Sequence, residues 1–373
     1  MAGPVTTPAP ASPAGGRDAW SEPRPVDVAA IERELGALLG SPAPGESALP
    51  TRARMSNLVV FASREAADDG GLPESIAEIS GRHPSRVLLL VGDPDLGAEP
   101  RAWVSALCRL GGGGRRVCSE QVSIRSGPDG LRRLPSIVRP LLVGDLPTAL
   151  WWAVPTAPPL AGDLFRDLSG MARRVLWDSR DWDDEAGGLR STARWAGGAD
   201  PRQGLADLAW VRLAPWRAAI GRALGTTAGS TNSLRVVHGP HALPEALLLV
   251  GWLADRLGWR RASRGEISQA SACWRLAGPG GDVSLDVLRV PDGPSSVIEA
   301  VFEQSGRGTR VAVARDGADR LRIEPPLPGG GMLSGTWASP AEIVARELSD
   351  LDGDPMFRPA LAVARSLAED VAG

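Results

Sequence analysis

Between residues 52 and 180, short apolar runs alternate with helical periodicities. This alternation restricts the fold more than any other feature of the chain. Residues 54–62 (RMSNLVVFA) read as a buried strand. Residues 72–81 (LPESIAEISG) read as a helix with Ile76 and Ile79 inward. Residues 85–93 (SRVLLLVGD) are a near-continuous apolar run ending in a turn, the pattern of a parallel strand covered on both faces. Residues 101–110 and 115–124 flank four glycines and suit a hairpin. Residues 130–145 read as a helix broken by Pro135 and Pro140. Residues 148–154 and 173–178 read as strands, with a helix over 163–171 between them. The expectation is an α/β layered domain over 51–185 with a mostly parallel sheet.

Around this block the pattern changes. Residues 1–25 are rich in Ala and Pro and predict a disordered tail without a signal-peptide pattern. A short amphipathic helix and a linker fill 26–50. Residues 179–203, rich in Asp, Gly and Arg, read as a loop, with a linker over 186–203. The remainder, 204–373, predicts an α+β domain. Two helical pieces meet at Pro215, and a buried helix spans 243–259. Strands at 283–290, 296–303, 309–314 and 320–324 have short connections that suit an antiparallel meander. Ser339, Pro340 and Glu342 open a further helix, and a last one closes the chain.

Composition removes several chemistries. All 41 basic residues are Arg, and there is no Lys and no Tyr. Schiff-base chemistry, a Walker-A loop and a phenolic acid are therefore excluded. A net charge of −3 argues against a constitutive nucleic-acid binder. Three cysteines are too few for a disulfide framework and fit a reducing cytoplasm. The longest strongly apolar run, 247–254, falls far short of the ~20 residues of a membrane span.

No catalytic constellation is assembled in the sequence. His238, His241 and Glu245 have a faint metal-triad look, but Gly-Pro between the histidines breaks the helical spacing. In the acidic segment 178–185, Asp178 is the best site candidate because it directly follows a strand. Residues 350–361 start like a calcium loop, then place Pro355 and Leu361 where Gly and Glu are required. Gly111 to Gly114 with Arg115 and Arg116 suit a hairpin tip better than a phosphate loop, since no GxGxxG occurs. Cys108 and Cys118 flank that tip. They read either as small core residues or, if the strands pair, as a redox couple. Thirteen Trp, against four Phe, carry the aromatic work. Any exposed members of Trp151, Trp152, Trp210 and Trp216, with Arg212 and Arg217, are the candidate partner anchors, because Trp and Arg dominate interface hot spots.

An ordered series of motifs resembles one family. It runs Arg54-Met55-Ser56-Asn57, His83-Pro84-Ser85-Arg86, Cys118-Ser119-Glu120, Asp145-Leu146-Pro147, Leu150-Trp151-Trp152 and Asp178-Ser179. It continues through Asp207-Leu208-Ala209-Trp210, Arg212, Pro215-Trp216-Arg217 and Gly251-Trp252-Leu253-Ala254. In this order, over about residues 26–365, the motifs are similar to those of the OpcA family of glucose-6-phosphate dehydrogenase assembly proteins. The resemblance implies a cytoplasmic, non-catalytic, two-domain protein without a cofactor. It would bind glucose-6-phosphate dehydrogenase and promote its assembly or activation in the oxidative pentose phosphate pathway. The family supplies no catalytic residues to carry over. A second reading is a sugar-phosphate- or nucleotide-binding regulator or enzyme, in which Arg86, Arg115 and Arg116 would meet phosphate.

Overall fold

The computed structural model describes residues 23–40, 51–68, 71–110, 116–180, 182–304, 309–328, 330–335 and 337–371. The predicted tail up to residue 22, the linker at 41–50 and the glycine tip with Arg115 lie outside the described residues, as does Asp181. The described chain forms two compact units. The first comprises the described parts of Met1–Val154, Asp163–Val175 and Pro340–Leu351. The second comprises those of Pro155–Gly162, Leu176–Ser339 and Asp352–Gly373.

The first unit begins with β1 (Arg24–Pro25), α1 (Val28–Leu39), β2 (Thr51–Arg52), β3 (Ser56–Ser63), α2 (Arg64–Asp68) and α3 (Leu72–Arg82). It continues with β4 (Ser85–Gly92), β5 (Arg101–Leu110), β6 (Arg116–Ser126), α4 (Leu134–Leu141), β7 (Thr148–Ala153) and α5 (Asp163–Ser169). Its sheet runs β1-β5-β6-β4-β3-β7, with β2 added on β6. β3, β4, β6 and β7 are parallel, while β5 runs antiparallel to β6, and β1 antiparallel to β5. The unbroken apolar runs follow from this arrangement, since central parallel strands bury both faces. Leu58, Val60, Val87, Leu88 and Leu90 are fully buried. α1 is capped by the Asp27 carboxylate, which accepts from the Ala30 amide, and it turns Ile31, Leu35 and Leu39 inward.

β8 (Arg174–Trp177) carries the chain into the second unit. There follow α6 (Glu185–Gly198), β9 (Gly204–Asp207), α7 (Leu208–Arg212), α8 (Ala214–Leu224), β10 (Thr231–His238), α9 (Leu243–Leu257), β11 (Arg260–Arg261) and β12 (Glu266–Ile267). Then come β13 (Ser271–Gly278), β14 (Gly281–Arg289), β15 (Val297–Gln304), β16 (Thr309–Asp316), β17 (Arg320–Glu324) and β18 (Met332–Ser334). α10 (Pro340–Glu347) belongs to the first unit and packs on α3, and α11 (Phe357–Val371) returns to the second. The large sheet of the second unit runs β11-β13-β14-β10-β15-β16-β17-β18. β15 to β18 are consecutive antiparallel neighbours, but the meander expected from residue 283 is corrected at its first strand, because β14 pairs with β13 and β10 and not with β15. β10 lies between β14 and β15, parallel to the first and antiparallel to the second.

The mixed α/β class read from the sequence is the class observed. The loop expected over 179–203 is corrected: most of it is α6. Its composition hides the helix, because four of fourteen residues are Gly. Two of these are needed at close approaches. A Cβ on Gly187 would sit 1.9 Å from Asp184 Oδ2, and one on Gly188 2.5 Å from the Trp182 ring. The first of the two helical pieces expected at 204–224 is also different. It divides into β9 and the single-turn α7.

Candidate functional site

Each unit holds a buried charge network built from the motif residues. In the first unit it lies along the N-terminal ends of the parallel strands. Register places Glu120, Arg86, Asn57 and Thr148 in one row across β6, β4, β3 and β7. Glu120 is fully buried, and its Oε2 accepts from Arg86 Nε at 2.8 Å and Nη2 at 2.7 Å. Its Oε1 accepts from Arg52 Nε and lies 3.7 Å from Arg54 Nε. Arg86 also donates to Leu141 O at 2.9 Å and pairs with Glu32 of α1. Asn57 holds the 143–147 turn in place. Its Nδ2 donates to Val143 O and Leu146 O, and its Oδ1 accepts from the Val143 amide. An apolar group in place of this amide would leave the Val143 amide and Leu146 O without it, while Val143 O keeps the Leu146 amide.

The other first-unit motif residues complete this edge. His83 ends α3 and is buried, with Nδ1 3.4 Å from Ser349 Oγ, and burial lowers its pKa. Pro84 O and Pro147 O accept the amides of Met55 and Asn57. Ser85 Oγ meets Ser56 Oγ at 3.0 Å. Asp145 is exposed at the turn.

In the second unit the network sits where β8 and β9 end. Asp178 follows β8 and takes both Nη groups of Arg212, at 2.8 and 2.6 Å, a bidentate pair. Burial opposes the Arg212 charge, but the carboxylates around it, Asp178 first and then Glu245 and Asp207, together raise the pKa. Asp207 ends β9 and caps α7. Its Oδ1 accepts from the Ala209 amide at 2.9 Å and the Ser179 amide at 3.0 Å. Its Oδ2 and the Ser179 hydroxyl have no partner among the described residues. Burial, then the neighbouring Asp178 charge, pushes Asp207 up to about 7. Glu245, in the first turn of α9, accepts from Arg180 Nη2 and the Val297 amide, each at 3.2 Å. Burial raises its pKa and Arg180 works against that rise.

Trp210 and Arg217 form a second knot. Arg217 lies 3.8 Å over the Trp210 ring and donates to Trp210 O at 2.8 Å. Trp210 Nε1 and Arg217 Nη2 both reach Asp354 Oδ2, at 2.9 and 3.4 Å. Burial lowers Arg217 to about 10, with Asp354 opposing.

The tryptophan anchors expected at a partner surface are corrected by these positions. Trp151, Trp152, Trp210 and Trp216 are all buried, none more than 5% exposed. Trp152 stacks on Phe61 at 4.4 Å between centroids and meets Phe165 edge-on. Arg212 is buried and Arg217 nearly so. The rings carry the cores because the chain has few other large aromatics. Asp178 spends both oxygens on Arg212 rather than standing open at the strand end. Cys108 and Cys118 form a disulfide that ties β5 to β6. His238 is buried with Nδ1 2.8 Å from Gly239 O, and Glu245 faces Arg180 instead of either histidine. Among the described residues, no three His, Cys, Asp or Glu converge on a common point. Arg52, Arg174 and Asp354 have central places that sequence reasoning missed. Arg52 had one signal, its spacing of two from Arg54 in a strand-like stretch. Arg174 pairs with Glu347 of α10 across 173 residues, beyond any local pattern.

Fold and site define a two-unit α/β protein whose motif residues form buried charge networks. The chain belongs to the OpcA family. Residues 76–194 match the family model described as the glucose-6-phosphate dehydrogenase subunit N-terminal domain, and 203–361 match that of its C-terminal domain. A Nostoc punctiforme protein named "Putative OxPP cycle protein OpcA" is 28% identical over 202 residues, covering 52% of this chain and 42% of its own length. A Synechocystis protein of the same name is 26% identical over 233 residues, covering 58% and 47%. The matched region thus spans under half the length of these relatives. A solved structure, myo-inositol 2-dehydrogenase from Lactobacillus plantarum, aligns over 86% of this chain and 97% of its own at 10% identity, with a TM-score of 0.45. Among the described residues, no helix is long and apolar enough to cross a membrane.

Proposed function

We propose that this chain is a non-catalytic partner of glucose-6-phosphate dehydrogenase, acting by protein–protein binding in the oxidative pentose phosphate pathway. The observation that carries this reading is the pair of family models. Both are described as domains of a glucose-6-phosphate dehydrogenase subunit, and together they take in Arg86 and Glu120 of the first network and the whole of the second. The chemistry of the networks supports it. Asp178, Glu245 and Glu120 each pair with guanidinium groups inside the fold, so their oxygens are taken up by internal contacts.

In this reading the chain activates by binding the active state of the dehydrogenase more tightly than the inactive one. With the tryptophans buried, their part is to hold the framework, and the partner is met by exposed side chains of the two units. Co-purification and dehydrogenase kinetics with and without the chain test this. A complex at micromolar concentrations together with altered kinetics is expected; no complex and unchanged kinetics would overturn it.

A further inference from the structure

The first-unit network holds more cations than it pairs. Arg52, Arg54 and Arg86 meet two carboxylates, Glu120 and Glu32. Arg86 is buried and serves both carboxylates with its full fork. Arg52 and Arg54 are different. Both approach the same oxygen, Glu120 Oε1, through Nε alone. Their Nη groups make no hydrogen bond among the described residues, and their side chains are 34% and 27% exposed. Burial, then the charges of Arg54 and Arg86, lowers the Arg52 pKa; burial, then Arg86, lowers that of Arg54. These two cations therefore crowd one another at the surface, above a carboxylate that fixes where they stand.

We propose that Arg52 and Arg54 form a binding site for a phosphate group, free or as the terminal group of a phosphorylated sugar. The fully buried Glu120 anchors the Arg52 guanidinium by a hydrogen bond and draws that of Arg54 to 3.7 Å by charge, so part of the ordering entropy of binding is already spent. Two guanidinium ends offer four Nη groups, which suit a tetrahedral anion with several free oxygens. A planar carboxylate would fill only one fork. Alternation along the strand explains the spacing. Residues two apart in an extended segment share a face, so Arg52 and Arg54 both meet Glu120. β2 is held in register by its parallel pairing of Arg52 with Cys118 and by the Ala53 amide, which donates to Cys118 O. This site stands independently of the dehydrogenase-partner reading.

The test is titration of the full chain, by calorimetry and thermal shift, with inorganic phosphate and separately with glucose 6-phosphate. Sodium chloride at matched ionic strength and unphosphorylated glucose are the controls. A saturable rise in Tm with either phosphate, absent from the controls, is expected. Equal affinity for the two means the phosphate group alone is recognised; tighter binding of glucose 6-phosphate means the sugar is read as well. Arg54→Gln, the arginine farther from Glu120, should weaken binding by about tenfold. Glu32→Gln, at a half-buried acid on the far side of Arg86, should tighten it by roughly two- to threefold by removing a nearby negative charge. Chloride matching the phosphate effect would overturn the proposal. So would wild-type affinity in folded Arg54→Gln, or weaker binding in Glu32→Gln.

Discussion

Asp207 spends one carboxylate oxygen on two backbone amides and leaves the other buried without a partner among the described residues. Its pKa, pushed up to about 7, means that the folded chain holds a proton there which the unfolded chain has released above its ordinary value of 3.8. Between those values stability therefore falls as pH rises, by at most about 1.4 kcal/mol per pH unit, and levels off above about 7. Denaturant titrations from pH 4.5 to 8 should show this slope in the wild type and its loss in Asp207→Asn. Parallel curves would contradict the assignment. Arg212 tests the same corner by its charge. Arg212→Ala strips the cation from Asp178 and leaves two carboxylates side by side. A cost of about 2–3 kcal/mol is expected, below the ~3–5 kcal/mol of a fully buried pair because Asp178 keeps some solvent access. Chemical denaturation at pH 7 measures it.

Two glycines on helices give opposite signs. On α9, a Cβ at Gly251 would lie 2.2 Å from the Ala360 carbonyl oxygen of α11, and backbone cannot step aside. Gly251→Ala should destabilise by about 1–3 kcal/mol as the two helices separate. On α8, a Cβ at Gly221 meets nothing within 4 Å, and Gly221→Ala should stabilise by about 0.5–1 kcal/mol through helix propensity. Thermal melts of the pair decide both. The Cys108–Cys118 bridge closes a short loop between β5 and β6, ten residues apart in sequence. Reductant should cost about 2–3 kcal/mol by the loop-entropy argument, and a Cys108→Ser/Cys118→Ser chain should not respond to it. Elements with one dominant pattern were legible in the sequence. β3, β4 and β7 announced themselves as apolar runs, α9 as an apolar helix and β15 to β17 as short strands with short connections. α6 was not legible, because its glycines serve contacts with Asp184 and Trp182 that only tertiary structure supplies. β10 was hidden for another reason: its exposed Asn232 and Arg235 interrupt the apolar pattern of a strand that lies inside a sheet.

At the scale of the whole molecule, sequence motifs and structure agree on where the chain invests its arginines and tryptophans. They correct what those residues do. Adjacent Trp and Arg suggested contact with a partner, but the same adjacency builds the Trp210–Arg217–Asp354 knot within one unit. The bidentate Asp178–Arg212 pair and the row from Glu120 to Thr148 were beyond sequence reasoning, since the placement of α7 decides the first and register across strands the second. Association with a dehydrogenase rests on family membership, and the framework residues bear on it indirectly. The most direct measurement is dehydrogenase activity titrated with the purified full chain, with complex formation followed in parallel by sedimentation. The account predicts a saturable change in kcat/KM that tracks formation of the complex. A dehydrogenase whose kinetics and sedimentation are unmoved by a large excess of folded chain would contradict it.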